Sequence, residues 1–383
     1  MEKIGLYVHI PFCHSKCAYC DFSSYAIGNA QNKIAIIRYV KALLKEIDLY
    51  EQTLKSVEVE TLFIGGGTPT CIDGKYIHEI INHLRKSTKF SENAEVTIES
   101  NPGTITTEKL DHYLSAGINR FSVGLQTTDN NLLSSIGRIH DFNTFTTSFN
   151  AIRESGIKNI NVDIMFGLPG QTSENLHHTL DTLIELSPEH ISAYALKLEE
   201  GTPMYEAERK GLIQMPDEEL ERTMYHEIIN KLKINGYYQY EISNFSKKGF
   251  ESRHNLVYWK NKPYLGLGLA AHSKMEQIRF SNEIIMSRYL ERIENGEKPS
   301  LDQTVISDSE DLFETVILGL RLNEGLNIPQ LNERYGMDFL SENEAVISKL
   351  TAQGLIQITG DILKLTLKGI DLSNQVFLAF MND

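Results

Sequence analysis

The first two hundred residues alternate between two hydrophobic periods. Short apolar, β-branched runs stand at 5–10 (GLYVHI), 59–66, 94–100, 120–126, 158–167 and 190–196, with the length and composition of buried strands. Between them apolar positions recur three and four apart, as in 33–50 (KIAIIRYVKALLKEIDLY), 75–87 and 173–186. That spacing predicts amphipathic helices, the last with Ser173 as its N-cap. Strand–helix alternation predicts parallel strands joined by right-handed crossovers. Six such units fall short of the eight that close a full barrel, so the expected class is α/β with a partial (β/α)6 TIM-like barrel; an open doubly wound sheet is the alternative.

The strand ends favour the barrel. They run into a cysteine loop, then GGGTPT (65–70), ESNPG (99–103), GLQTTD (124–129), DIMFGLPGQT (163–172) and LKLEEGTP (196–203). A barrel gathers the C-terminal ends of its strands around one cavity. The alternation stops near residue 204. A helix is expected over 215–237, between Pro216 and Gly236, then a strand over 237–243 and an aromatic, glycine-rich stretch over 253–273. Helical runs followed by LIQITGDILKLTL (355–367), a hairpin turning at Gly360-Asp361, predict a winged-helix-like domain. The expected organisation is thus 1–203 barrel, 204–300 barrel extension and 301–383 C-terminal domain.

Charge narrows the function. The 383-residue chain carries a formal net charge of −14. Residues 305–383 hold five Lys and Arg against twelve Asp and Glu. Those numbers argue against a general nucleic-acid binder, in the whole chain and in the winged-helix-like part; a packing or partner-binding role is expected for the latter. No apolar run has the length of a membrane span and the N-terminus reads as a strand rather than a signal peptide, so a cytoplasmic location is expected.

Three of the four cysteines, Cys13, Cys17 and Cys20, fall within HIPFCHSKCAYCDF (9–22). In a reducing compartment such clustering points to metal or redox chemistry rather than disulfides. A zinc site completed by His9 or His14 is one reading. A [4Fe-4S] cluster is the stronger one: three thiolates leave one iron free for a small ligand. Cys71, just past GGGTPT, reads as a small buried hydrophobe.

C-x3-C-x2-C after a first barrel strand resembles the radical S-adenosylmethionine (SAM) superfamily. YVHIPFC, GGGTPT, IES, GLQ, IGR and VDIMFGLPGQT extend the likeness to the branch of oxygen-independent coproporphyrinogen dehydrogenases and HemW-type heme chaperones. The resemblance implies that SAM binds the open iron and that a reduced cluster cleaves its sulfonium. It implies further that Tyr7, Gly66, Gly67, Thr68, Glu99, Gln126, Arg138 and Asp163 line SAM or a neighbouring site. Their chemistry agrees: carboxylates and an amide for hydroxyls or an ammonium, a guanidinium for a carboxylate.

The dehydrogenases carry a further cysteine two residues past the third; Phe22 stands there here, as in the chaperones. HNLVYW (254–259) matches the chaperones' H-N-x-x-Y-W motif. It offers His254 as a heme ligand, with Tyr258 and Trp259 to pack on the macrocycle; His272 is the rival. The resemblance therefore implies a chaperone that binds heme and hands it to apo-hemoprotein clients, respiratory enzymes at the membrane among them. The alternative is decarboxylation of coproporphyrinogen III. A homodimer is left open.

Overall fold

The computed structural model describes residues 1–27, 31–301 and 303–381. Six strands, β1 (Glu2–Ile10), β2 (Val57–Gly66), β3 (Lys89–Ser100), β4 (Arg120–Gln126), β5 (Ile160–Phe166) and β6 (His190–Ala195), pair in parallel in sequence order. Helices Gln31–Leu49, Gly74–Ser87, Thr107–Ser115, Phe142–Glu154 and Ser173–Leu186 carry the chain back between them. Their starts are fixed by side-chain caps: Asp73, Thr106 and Asp141 each accept a bond from an N–H of the first turn. The last helix is capped one residue earlier than expected. Thr172, not Ser173, closes a reciprocal capping box with Asn175.

The strands use their two faces differently. In β1, Leu6, Val8 and Ile10 are fully buried against Ile36, Tyr39 and Leu43 of the first helix. Each such side chain contributes roughly 1.5–3 kcal/mol. Gly5, Tyr7 and His9 alternate onto the inner face. That face is polar around the lumen: Thr61, Glu95, Thr97, Arg120, Ser122, Asn161, His190 and Ser192 are all buried. Hydrogen bonds satisfy part of this set, including His190 Nδ1 with Asn161 Oδ1 at 2.6 Å and Asn161 Nδ2 to Ser122 Oγ at 2.7 Å.

The sheet then grows at both ends. β7 (Tyr238–Glu241) and β8 (Asn244–Ser246) add antiparallel beyond β6. β9 (Tyr264–Leu267) lies parallel beside β1, a seventh parallel strand within the stretch that sequence reading left unassigned. β10 (His272–Met275), β11 (Ile278–Ser281) and β12 (Thr304–Val305) continue antiparallel. The order is β12-β11-β10-β9-β1-β2-β3-β4-β5-β6-β8-β7, and the two edge strands are not neighbours. The cylinder is therefore open along one side.

A second hydrophobic cluster, from Val316 to Phe380, packs around β13 (Leu326–Asn327), β14 (Ile356–Thr359) and β15 (Ile362–Leu365). The hairpin turns at Gly360 with φ +58°, and Ser307 and Glu310 form a capping box at the entering helix. Lys274 pins this part to the barrel. Only 4% of its side chain is exposed, and its ammonium meets Asp311 at 2.6 Å and Glu314 at 3.3 Å. No described helix is long and apolar enough to cross a membrane.

Candidate functional site

The cysteine loop is held in place by backbone. Gly67 N–H donates to Ile10 O at 2.9 Å and Thr68 N–H to Phe12 O at 2.7 Å, so the glycine turn after β2 clamps the start of the loop. Ala18 N–H donates to Ile136 O at 3.2 Å, and Met204 N–H to Ala18 O at 2.9 Å. These glycines are required by close approach. A Cβ on Gly67 would lie 2.7 Å from Phe12 O, 2.9 Å from Phe12 N and 3.0 Å from Cys13 Sγ. Gly66, at φ +112°, has the His9 ring where its Cβ would point, 2.6 Å away.

Cys13, Cys17 and Cys20 line one cavity of about 350 Å³ at the C-terminal mouth of the barrel. Gly66, Gly67, Thr68, Glu99, Gln126, Arg138 and Asp163 line it too. Among the described residues no three His, Cys, Asp or Glu converge tightly enough to hold one metal ion. His9 is not a free fourth donor, because Nδ1 pairs with Tyr7 Oη at 3.0 Å and Nε2 with Ser23 O at 2.9 Å. The donor set suits a wider, multi-iron group better than a closed zinc tetrahedron. Burial pushes the Cys13 and Cys20 thiols up. Cys71 lies outside this cavity, its thiol pushed up to about 11 by burial.

Arg138 organises one wall. It donates to Asn101 Oδ1 at 2.8 Å and to Tyr19 Oη at 2.7 Å, while its buried Nε has no partner. Asn101 Nδ2 passes on to Thr68 Oγ1 at 2.8 Å, which lies 3.5 Å from Cys13 Sγ. Gln126 adopts φ +75°, at a register shift in β4, a strained backbone typical of functional positions. Gly124 leaves the space this needs, since a Cβ there would lie 3.0 Å from both Asn101 Oδ1 and Gln126 Nε2.

Two carboxyls complete the cavity. Glu99 accepts from Gly66 N–H at 3.1 Å; Asp163 accepts from Asn161 Nδ2 at 2.7 Å and Ser122 Oγ at 3.1 Å. Desolvation, then the neighbouring Asp163, pushes Glu99 up to about 8. Desolvation also raises Asp163, against three side-chain hydrogen bonds. A thiol triad, a glycine cradle, an orphaned guanidinium nitrogen and two desolvated carboxyls fit an iron–sulfur cluster with a ligand bearing both carboxylate and cation.

Two sequence-picked residues lie elsewhere. Tyr7 lines a neighbouring groove, not this cavity. His254 is 1% exposed on the short helix Arg253–Trp259, packed against the inner face of β2. Its Nδ1 meets Thr61 Oγ1 at 2.8 Å, its Nε2 meets Tyr258 Oη at 2.9 Å, and its ring stacks on Phe63. Glu95 accepts the N–H groups of Arg253 and His254 at 3.2 and 3.0 Å, anchoring the helix N-terminus. Burial lowers His254 to about 3, so it stays neutral. Both ring nitrogens are thus engaged within the fold. Trp259 lies under Arg321, 4.4 Å from the guanidinium, at the edge of the C-terminal domain. Sequence reading missed Tyr19, Asn101 and Ser122. Tyr19 stands between two cysteines and Asn101 two residues past Glu99, and either offset was a usable signal.

The Radical SAM superfamily model matches residues 7–183, and the HemN C-terminal domain model matches 306–372. Fold and site together define a radical SAM protein. Coproporphyrinogen III oxidase (HemN) from Escherichia coli, described as a radical SAM enzyme, superposes with a TM-score of 0.85 at 25% identity, covering 99% of this chain and 90% of that one. The Bacillus subtilis protein called heme chaperone HemW is 37% identical over 378 residues, 98% of this chain and 99% of its own length. Its Lactococcus lactis counterpart is 32% identical, covering 98% and 97%. The chain belongs to the HemW family of heme chaperones.

Proposed function

We propose that this protein binds heme and delivers it to apo-hemoproteins, respiratory enzymes among them, while holding a SAM-ligated [4Fe-4S] cluster. The observation that carries the reading is full-length similarity to proteins named heme chaperones, together with Phe22 at the position past the cysteine triad where the dehydrogenases carry a further thiol. Cys13, Cys17 and Cys20 hold the cluster. When bound, cluster and SAM supply one-electron chemistry at the sulfonium.

The chain's own residues do the positioning. Arg138, braced by Asn101 and Tyr19, offers its unpaired Nε to a carboxylate. Glu99 and Asp163 accept from hydroxyl or ammonium groups, and Gln126 is aimed inward by its backbone. Gly66 and Gly67 let the main chain approach the ligand.

A second reading, oxidative decarboxylation of coproporphyrinogen III, is favoured by the likeness to HemN. One paired experiment separates them. Anaerobically reconstituted protein is titrated with hemin and then mixed with apomyoglobin; a parallel sample receives SAM, reductant and coproporphyrinogen III. A Soret shift with transfer to apomyoglobin, and no protoporphyrinogen, supports the chaperone. Turnover of coproporphyrinogen without hemin binding supports the enzyme.

A further inference from the structure

Resting on the heme-binding reading, the geometry points to a metalloporphyrin site in the groove beside the cluster cavity, with the His272 imidazole as axial ligand. The groove has a volume of about 400 Å³ and is lined from β1, β9 and the start of β10. Tyr7, Phe22, Tyr258, Tyr264 and Ile284 give it an aromatic and apolar wall, with Asp21 and Ser23 as polar members of the lining. Phe22 is 63% exposed and Ile284 58% exposed. Apolar side chains left open around a concavity mark a surface that a ligand covers. Flat, rigid rings on its walls suit a planar macrocycle.

The histidines decide where iron would bind. Three lie near the groove. His9 spends both ring nitrogens on Tyr7 and Ser23, and His254 spends both on Thr61 and Tyr258. His272, the first residue of β10, is exposed, faces the groove, and makes no side-chain hydrogen bond among the described residues. A neutral imidazole with a free nitrogen is a good ligand for heme iron. Lys16, whose ammonium donates to Phe22 O at 3.0 Å, places a cation at the Phe22 lip for a propionate.

Phe22 also lines the cluster cavity. It is therefore the partition between the two sites, so that a bound macrocycle and the cluster loop share one side chain. The residue that separates this chain from the dehydrogenases becomes a wall of the heme site.

The test uses the full chain with its cluster reconstituted, titrated with hemin and followed by absorption and by resonance Raman. Wild-type protein is expected to show an imidazole-ligated spectrum. His272→Ala is expected to lose that signature and to bind about tenfold or more weakly; His272→Gly with added imidazole is expected to regain it. Because His272 is exposed at the start of a strand, neither variant threatens the fold, and retained iron content verifies this. His254→Ala is expected to keep the wild-type spectrum. Hemin binding that is unchanged in His272→Ala overturns the site while leaving the heme reading intact. Failure of wild-type protein to bind hemin overturns the heme reading, and the site with it.

Discussion

Replacing Glu99 by Gln tests how the cavity recognises its cofactor. Glu99 sits in a desolvated wall beside Asp163 and takes up protons with a pKa of about 8. Below that pH it is neutral in the ligand-free protein. A ligand with a permanent sulfonium charge favours the carboxylate, so SAM binding expels a proton. Affinity then falls about tenfold for each pH unit below 8, or about 100-fold and 2.7 kcal/mol at pH 6, an upper bound because Asp163 shares the charge. The same shift has a stability consequence of opposite sign. A carboxyl whose folded-state pKa is raised contributes stability that is complete below about 4.5 and lost as pH rises through about 8. Ligand-free protein should therefore soften between pH 6 and 8, and SAM should reverse this. The assay is anaerobic calorimetry of SAM binding to cluster-loaded wild type and Glu99→Gln at pH 6, 7 and 8. The ratio of the two affinities cancels the titration of the ligand itself. A ratio that does not change with pH refutes the reasoning.

Other perturbations read other parts of the site. Gly67→Ala puts a methyl between Phe12 O and Phe12 N, and iron incorporation by anaerobic reconstitution should fall sharply while far-UV dichroism is kept. Arg138→Ala removes two charge-assisted hydrogen bonds and the orphaned Nε; SAM affinity measured by equilibrium dialysis should fall by about 1.5–3 kcal/mol, or roughly 10- to 150-fold. His254→Ala opens a hole against Phe63 and strands Thr61 and Tyr258, so denaturant unfolding should show about 2–4 kcal/mol of lost stability. Lys274→Met removes the buried cation shared by Asp311 and Glu314, which keep Arg334 and Arg279 as partners. Hydrogen exchange over Asp308–Gly319 should accelerate, with a cost of about 1–3 kcal/mol.

The barrel was legible because its strands bury one face against helices and its helices carry a single apolar stripe, so both periods stand in the sequence. The strand ends were legible for the same reason: Gly-rich and polar runs break those periods where the cavity lies. The inner face was less so. Arg120, Asn161 and His190 look like ordinary polar residues along the chain, and only the closing sheet turns them toward one lumen. The positions of Tyr19 and Asn101 carried a signal, but their pairing with Arg138 did not, because they reach it from 119 and 37 residues away. His254 shows the converse. A motif supplied the residue, but its burial depends on β2 and β3 contributing Thr61 and Glu95, which no local pattern encodes. β9 escaped because a four-residue strand after a short helix has no period to read.

The central claim is that Cys13, Cys17 and Cys20 hold a four-iron cluster whose remaining iron faces the Arg138–Glu99 cavity. Mössbauer spectroscopy of protein reconstituted with 57Fe, with and without SAM, tests it most directly. The account predicts four irons per chain, of which one changes isomer shift on SAM addition, and neither feature in the triple Cys→Ser variant. Four irons blind to SAM, or a zinc-loaded chain that takes up no iron, would contradict it.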